Sequence, residues 1–453
     1  MIVMSLREAA REVDGLLKGE DVTFCGVSTD SRTLERGQLF FALKGERFDG
    51  HDSLAEAAAR GACGAIVARD VVAAVPVVRV ADTRVALGVL ARAWRVRHAI
   101  PVIGVTGSNG KTTTKEIAGA ILGRRGEVLA TRGNLNNHVG VPLTLFGLSK
   151  RHTAAIIEMG ANGMRDIAEL VEIARPTVGL VTMCGPAHLQ GFGSIENVAL
   201  AKGEIYRGLG PGGIAIINSD DRFSHYWRER TDAGRISTFG IEQPADFSAV
   251  SISQRALGQG TLFDLVTPFG HTTVESALDG RHNVYNALAA AAATAAAGAT
   301  LDELRTGLAA VKPVEGRLNI KPIAAGVTVI DDTYNANPAS LAAALDVLAR
   351  CAGRRWLVLG DMGELGPDEI AQHLAAAKLA KHAGVERIYA VGDLATHAAD
   401  AFGGGGAHFP TREALINVLR RDLVPGVALL VKASRFMQFD KVVTALMEGE
   451  HEC

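Results

Sequence analysis

The sequence predicts an α/β chain made of three tandem α/β domains, and three observations carry that prediction. Short apolar runs rich in β-branched residues recur along the whole chain, with helical stretches between them. Those runs lack strict apolar–polar alternation, which is the pattern of strands buried on both faces of a parallel sheet. The length, 453 residues, exceeds one ordinary domain and suits about three.

The elements follow in order. In residues 1–98 the runs Val22–Val27, Gln38–Leu43, Ala65–Ala68 and Val77–Val80 alternate with helical stretches at Ser53–Arg60 and Val85–Val96. A second domain, 99–313, opens on the β-branched run Ile100–Val105, which ends in a Gly/Ser/Asn turn before the helical pattern Lys111–Leu122. Strands are expected again at Ala154–Glu158, Val178–Met183 and Gly213–Asn218, so the sheet of this domain is mainly parallel. Ser248–Thr273 breaks the rhythm with alternating residues and several glycines, and predicts a small antiparallel excursion. From 314 to 453 a new βα series runs through Val327–Asp331, Trp356–Gly360, Ile388–Gly392 and Val427–Val431, giving a Rossmann-like C-terminal domain.

Composition removes several function classes. Forty-seven basic against 49 acidic residues leave a formal net charge of −2, so neither nucleic acid nor an anionic membrane is expected as a partner. The cysteines Cys25, Cys63, Cys184, Cys351 and Cys453 are scattered without metal or redox spacing, and read as reduced thiols. Arg7, Glu8, Arg11, Glu12 and Asp14 interrupt the apolar residues of Met1–Leu17, where a signal peptide would need an unbroken apolar stretch. The alanine-rich run Ala287–Ala297 is too short to span a bilayer, which takes about 20 residues. A cytoplasmic protein is expected.

The strongest chemical signal is Thr106-Gly107-Ser108-Asn109-Gly110-Lys111-Thr112-Thr113, set between a predicted strand and a predicted helix. Glycines let backbone N–H groups curl around phosphate oxygens, and the helix N-terminus adds positive potential. Lys111 would reach the outer phosphates of ATP, and the Thr112 hydroxyl would meet Mg²⁺. The strict pattern G-x-x-x-x-G-K-[ST] is not met: Val105 stands five before Gly110, and Gly104 is one residue too early. The competing reading is a plain Gly-rich turn.

Glu158 ends the strand Ala154–Glu158 at the sheet edge where open α/β folds bind ligands. His188 follows the next strand, and Lys202 lies in the helical stretch Glu196–Leu209. Singly these read as a loop carboxylate, a surface histidine and a solvated lysine. Jointly, behind a phosphate loop, the carboxylate and imidazole could bind a second Mg²⁺.

These motifs resemble the Mur ligase family, ATP-dependent amino-acid ligases of peptidoglycan precursor synthesis, over essentially the whole chain. Thr106–Glu116 is similar to the family's phosphate loop, including its departure from the strict pattern, and Glu158-Met159-Gly160 to its Mg²⁺-binding acid. The resemblance implies a second-metal role for His188 and a carbamylated Lys202, whose added carboxylate can ligate a cation where an ammonium cannot. It implies adenine contact from Asn283, phosphate contact from Arg317 and a place near the ribose for Asp332. Asp331–Pro338 and Gly360–Gly366 are similar to the branch of the family that adds D-alanyl-D-alanine, with Gln190 and Thr333 standing where Glu and Ser are usual. Ser31 and Arg32 resemble uridine-nucleotide contacts, Tyr334 and Asn335 substrate contacts, and Asn137 a substrate or metal contact.

The expected activity is therefore an ATP-dependent acid–D-amino-acid ligase acting through an acyl phosphate, with ATP, two Mg²⁺, UDP-N-acetylmuramoyl-tripeptide and D-alanyl-D-alanine as ligands. The chain is expected to work as a monomer. In that reading Lys111, Glu158, His188 and Lys202 are the catalytic set, with Thr112, Glu158, His188 and Lys202 holding metal. Another Mur-type or a folylpolyglutamate-type amino-acid ligase, a P-loop hydrolase switch and a non-catalytic nucleotide-binding module are the rivals. Lys432, Ser434 and Arg435 are further candidates for gripping the dipeptide.

Overall fold

The computed structural model describes residues 1–186, 188–323 and 326–448; Ala187, in the loop before His188, and Cys453 lie outside the described residues. Three α/β bodies follow one another, each around its own sheet. The first sheet runs in the order Leu16–Lys18, Val77–Arg79, Gly64–Val67, Leu39–Phe41, Val27–Ser28. Its Leu16–Lys18 edge is antiparallel and the other pairings are parallel.

The central sheet is wholly parallel, in the order Arg235–Phe239, Ile214–Asn218, Val178–Val181, Val102–Thr106, His152–Glu158, Glu127–Ala130. Ile103, Val105, Ala155, Ile157 and Leu180 are all fully buried, which explains their unalternating apolar runs: both faces of the sheet are covered. One cover is the helix Lys111–Leu122, and beside it the alanine helix Arg281–Ala296 packs on Val178–Val181, Ile214–Asn218 and Arg235–Phe239. Residues Ala287 to Ala293 are all buried in the same core as Ile117, Ala118 and Ile121, so the small side chains permit close helix packing. The expected antiparallel excursion is a three-stranded sheet, Ser248–Gln254, Thr261–Thr267 and Gly270–Ser276.

The last sheet is ordered Asn319–Ile323, Val327–Asp332, Val427–Lys432, Arg354–Gly360, Arg387–Val391, Gly406–Phe409, antiparallel at its first edge and parallel elsewhere. No helix among the described residues is long and apolar enough to cross a membrane.

Two fixtures tie elements together. Arg95, 5 % exposed, donates to the carbonyls of Ala174 (3.1 Å), His98 (2.7 Å) and Arg175 (3.2 Å). It thereby caps the end of the helix Asp166–Ala174 from the helix Thr83–Arg95. The Tyr206 hydroxyl, from the helix Ile195–Arg207, accepts from Val181 N (3.1 Å) and donates to Ile216 O (2.8 Å), bridging two sheet strands where their own pairing ends.

Candidate active site

The strand Val102–Thr106 lies between His152–Glu158 on one side and Val178–Val181 on the other. Its carboxyl end is therefore a switch point of the sheet, where connections leave in opposite directions and open a crevice. The phosphate-loop residues sit there. Gly107 and Gly110 have φ of +146° and +83°; a Cβ at the first would collide with Thr182 Oγ1, and at the second with Asn286 Oδ1. Only glycine fits both the backbone and the space.

A cleft of about 1090 Å³ opens over this loop, lined by residues of the central and C-terminal bodies. Ser108, Asn109, Gly110, Lys111, Thr112 and Thr113 form part of its wall, joined by Asn137, Glu158, His188 and Asn283 of the central body. Arg317, Asp332, Tyr334 and Asn335 close the other side. Gly107 and Lys202 lie behind this lining, and Ser31 and Arg32 lie away from it in the first body. Ser31 Oγ donates to Glu56 (2.7 Å), and Arg32 grips Asp30 through two nitrogens at 2.9 and 2.8 Å.

Local contacts set each side chain. Lys111 Nζ donates to Gly107 O at 2.7 Å, and desolvation in the cleft lowers its pKa. Glu158, 3 % exposed, accepts from Thr112 Oγ1 (2.8 Å) and from Asn136 Nδ2 (2.9 Å), while its own N–H donates to Thr131 Oγ1 (2.9 Å). Asn137 is exposed and its Oδ1 caps the helix Gly140–Leu145, accepting from Val139 N and Gly140 N. Asn136, which the sequence reading passed over, is the one that touches the carboxylate.

His188 holds a left-handed backbone, φ +54°. Its Nδ1 lies 2.5 Å from Glu364 Oε2 of the C-terminal body, without hydrogen-bond alignment. Burial lowers the imidazole pKa, with the Glu364 carboxylate acting against it. Lys202 is 2 % exposed, and its Nζ lies 5.9 Å from the Phe192 ring. Burial, then the nearby Lys111 charge, push its amine down to about 7. Thr112 and Glu158 are thus in direct contact, whereas His188 is turned to Glu364 and Lys202 stands in an apolar setting. Among the described residues no three His, Cys, Asp or Glu side chains form a ready-made metal cluster.

The opposite wall comes from the C-terminal body. Arg317 Nη2 donates to Thr112 Oγ1 at 2.9 Å, and its guanidinium stacks 4.0 Å from the Tyr334 ring centre, which Arg435 also approaches at 5.3 Å. Asp332 accepts from Leu318 N (3.2 Å) and pairs with the buried Lys432, whose Nζ also donates to Asn335 O (2.9 Å). Ser434 Oγ accepts from Gly363 N at 2.8 Å. Of the three dipeptide candidates, Lys432 and Ser434 thus have internal partners, and Arg435 is exposed beside the cleft. At the far end, Asn283 Nδ2 donates to Asp279 O (2.7 Å) and Asn283 Oδ1 accepts from Asn286 Nδ2 (3.0 Å).

This crevice combines a backbone cradle for phosphates, a carboxylate–hydroxyl pair, and an arginine from a separate body. Oxygen donors of the Thr112–Glu158 type suit a hard cation such as Mg²⁺.

Comparison with known proteins agrees with that chemistry. Residues 23–95 match a Mur ligase family, catalytic domain, residues 105–294 a Mur ligase middle domain, and residues 316–435 a Mur ligase, glutamate ligase domain. The chain is 44 % identical over 454 residues to the UDP-N-acetylmuramoyl-tripeptide–D-alanyl-D-alanine ligase of Escherichia coli, covering 99 % of each. It superposes on a crystal structure of MurF from Acinetobacter baumannii with TM-score 0.93 and 38 % identity, covering 99 % of both chains. MurF from Thermotoga maritima in complex with ADP aligns with TM-score 0.83 and 29 % identity, over 93 % of this chain and 97 % of that one. Three successive matching domains and full-length relatives place the chain in the Mur ligase family.

Proposed function

We propose that the chain is a cytoplasmic ligase, working as a monomer, that joins D-alanyl-D-alanine to UDP-N-acetylmuramoyl-tripeptide at the expense of ATP. The observation that carries this reading is the Arg317–Thr112 contact, because it brings the C-terminal body onto the phosphate loop of the central one. Hydrolysis alone would need no such second wall; a ligase must seat two further substrates against the same phosphate. The relative from Escherichia coli carries this activity in its name.

A free carboxylate is a poor acyl donor because its leaving group would be an oxide. An oxygen of the tripeptide carboxylate attacks the γ-phosphorus of ATP and ADP departs, leaving an acyl phosphate. The dipeptide amine then adds to the carbonyl carbon, loses a proton, and expels phosphate to give the amide. Lys111 and Arg317 supply positive charge to the transferring phosphoryl group, and Gly107–Thr113 present the loop amides to the adjacent phosphates. Asn283 is assigned to the adenine end, Asp332 to the ribose side, and Tyr334, Asn335 and Arg435 to the approaching dipeptide. Ser31 and Arg32 are assigned to the uridine nucleotide, with Asn137 to its peptide arm.

Thr112 and Glu158 would hold one Mg²⁺, and His188 with a carbamylated Lys202 a second; bound there, the cations would offset the charge of the phosphates. The burial of Lys202 with no carboxylate partner among the described residues supports the modification. A neutral amine attacks CO₂ and loses a proton, becoming an anion near the positive charge of Lys111.

Phosphate release from ATP should depend on both UDP-muramoyl-tripeptide and D-alanyl-D-alanine. Turnover indifferent to both would favour a hydrolase switch, and binding of ATP without turnover a non-catalytic module. Intact-mass spectrometry should show one CO₂ on the protein, absent in Lys202→Arg; an unmodified active enzyme would rule the carbamate out.

A further inference from the structure

We propose that Asn109 and Asn337 form an interdomain amide latch that couples the seating of the C-terminal body to the shape of the phosphate loop. Both are then positioning residues for phosphoryl transfer. The inference rests on the reading that the cleft takes ATP.

The two carboxamides face each other head to tail across 228 positions of sequence. Asn337 Nδ2 donates to Asn109 Oδ1 at 2.8 Å, and Asn109 Nδ2 donates to Asn337 Oδ1 at 3.3 Å. A pair of this kind tolerates little rotation, since each amide must present its oxygen to the other's nitrogen.

What each amide is attached to gives the pair its significance. Asn337 is the N-cap of the helix Pro338–Ala349, and its Oδ1 also accepts from Ser340 N at 2.9 Å. Ser340 Oγ in turn accepts from Asn337 N at 3.0 Å, and Pro338 stiffens the first helical position. The Asn337 side chain is therefore aimed by the start of a helix, and is only 9 % exposed. Asn109 lies between Gly107 and Gly110, and its carbonyl accepts from Thr182 Oγ1 at 2.6 Å. The loop is thus pinned to the sheet edge through its backbone and to the C-terminal helix through its side chain. When that helix moves, the loop's peptide groups must follow or the pair must break.

Two other bridges between the two bodies near this point involve charged side chains: Arg317 on Thr112, and Glu364 beside His188. The amide pair is neutral and directional, so it reports position rather than supplying field.

Asn337→Asp keeps the helix-cap acceptor but removes the donor to Asn109; Asn109→Ser removes both bonds from the loop side. In the full-length enzyme with ATP and both co-substrates, Asn337→Asp should lower kcat about threefold and Asn109→Ser about tenfold, as the loss of one and of two modest hydrogen bonds would, with the KM for ATP moving less than about twofold. The double variant should fall no further than the weaker single one, because both substitutions break one unit. Small-angle scattering of the substrate-free proteins should show a larger radius of gyration for both singles, with melting temperature as the check on folding. Multiplying single losses in the double variant, or wild-type kcat in either single, overturns the latch. If Asn337→Asp does not fold, Asn109→Ser and Asn109→Asp decide by the same kcat and scattering criteria. A wild-type enzyme that ignores the proposed co-substrates defeats the functional reading alone, and the scattering comparison still decides the latch.

Discussion

Gly110 carries two constraints at once, a left-handed backbone and the amide of Asn286 against its α-carbon. Gly110→Ala should therefore cost about 10²–10³-fold in substrate-dependent phosphate release, the scale of losing preorganised transition-state donors. A thermal melt beside the kinetic assay would separate that loss from the backbone strain and the clash with Asn286 that the same methyl introduces. His282, also in the cleft wall, has its pKa lowered to about 4 by burial, with Asp332 opposing and Lys432 assisting. The folded chain then holds fewer protons at this site than the unfolded chain between pH of about 4 and the ordinary 6.5. Stability from this group rises with pH across that window and is lost on acidification. His282→Gln should flatten the difference between urea midpoints at pH 4.5 and pH 7, values chosen at roughly the inside and outside of the window; an unchanged difference would exclude this origin. At this scale the phosphate loop and Glu158 were legible because they are local signals, a glycine-rich turn and a strand-end acid. Asn136, Asn337 and the Arg317–Thr112 bond were not, since their meaning depends on partners in other elements. Arg317 and Thr112 stand 205 positions apart.

Among elements, the interior strands of the two larger sheets were readable from unbroken apolar runs, and the helix Lys111–Leu122 was expected with the bounds it has. The strands that escaped notice are edges. Glu127–Ala130, Arg235–Phe239 and Gly406–Phe409 each border a sheet on one side only, so they keep polar residues and lack a buried run. Asn319–Ile323 contains Lys321 and Pro322, as an antiparallel edge can. Between elements the Arg95 clamp makes a sharp prediction. Arg95→Met fills much of the space but leaves the carbonyls of Ala174, His98 and Arg175 without their donor. It should cost about 2–4 kcal/mol by urea unfolding, and a loss under about 0.5 kcal/mol would mean the carbonyls find other donors.

Across the whole molecule, the bodies are not equally independent. A single apolar core runs from Leu39, Phe41 and Leu87 of the first body through Val102, Leu145 and Leu170 to Ile205 and Trp227 of the central one. The C-terminal sheet has separate cores on its two faces. Residues 1–313 should therefore open as one cooperative unit in hydrogen exchange, and 314–453 as another. Residues 1–98 produced alone should lack a cooperative melt, because the helix Thr83–Arg95 would expose the face that meets the central core. The sequence could suggest three α/β units from their repeated rhythm, but not this sharing, which only shows once distant runs are packed together.

Tyr206 stands one helical turn beyond Lys202 on the helix Ile195–Arg207, and Trp227 Nε1 holds Ala199 O of the same helix at 3.0 Å. The lysine thus hangs from a beam bolted at both ends, one bolt being the phenol that spans Val181 and Ile216. Its height above the sheet is surveyed from the strands themselves rather than from the loop that carries His188. A ligand reaching the buried nitrogen would therefore meet it at a position the strands dictate.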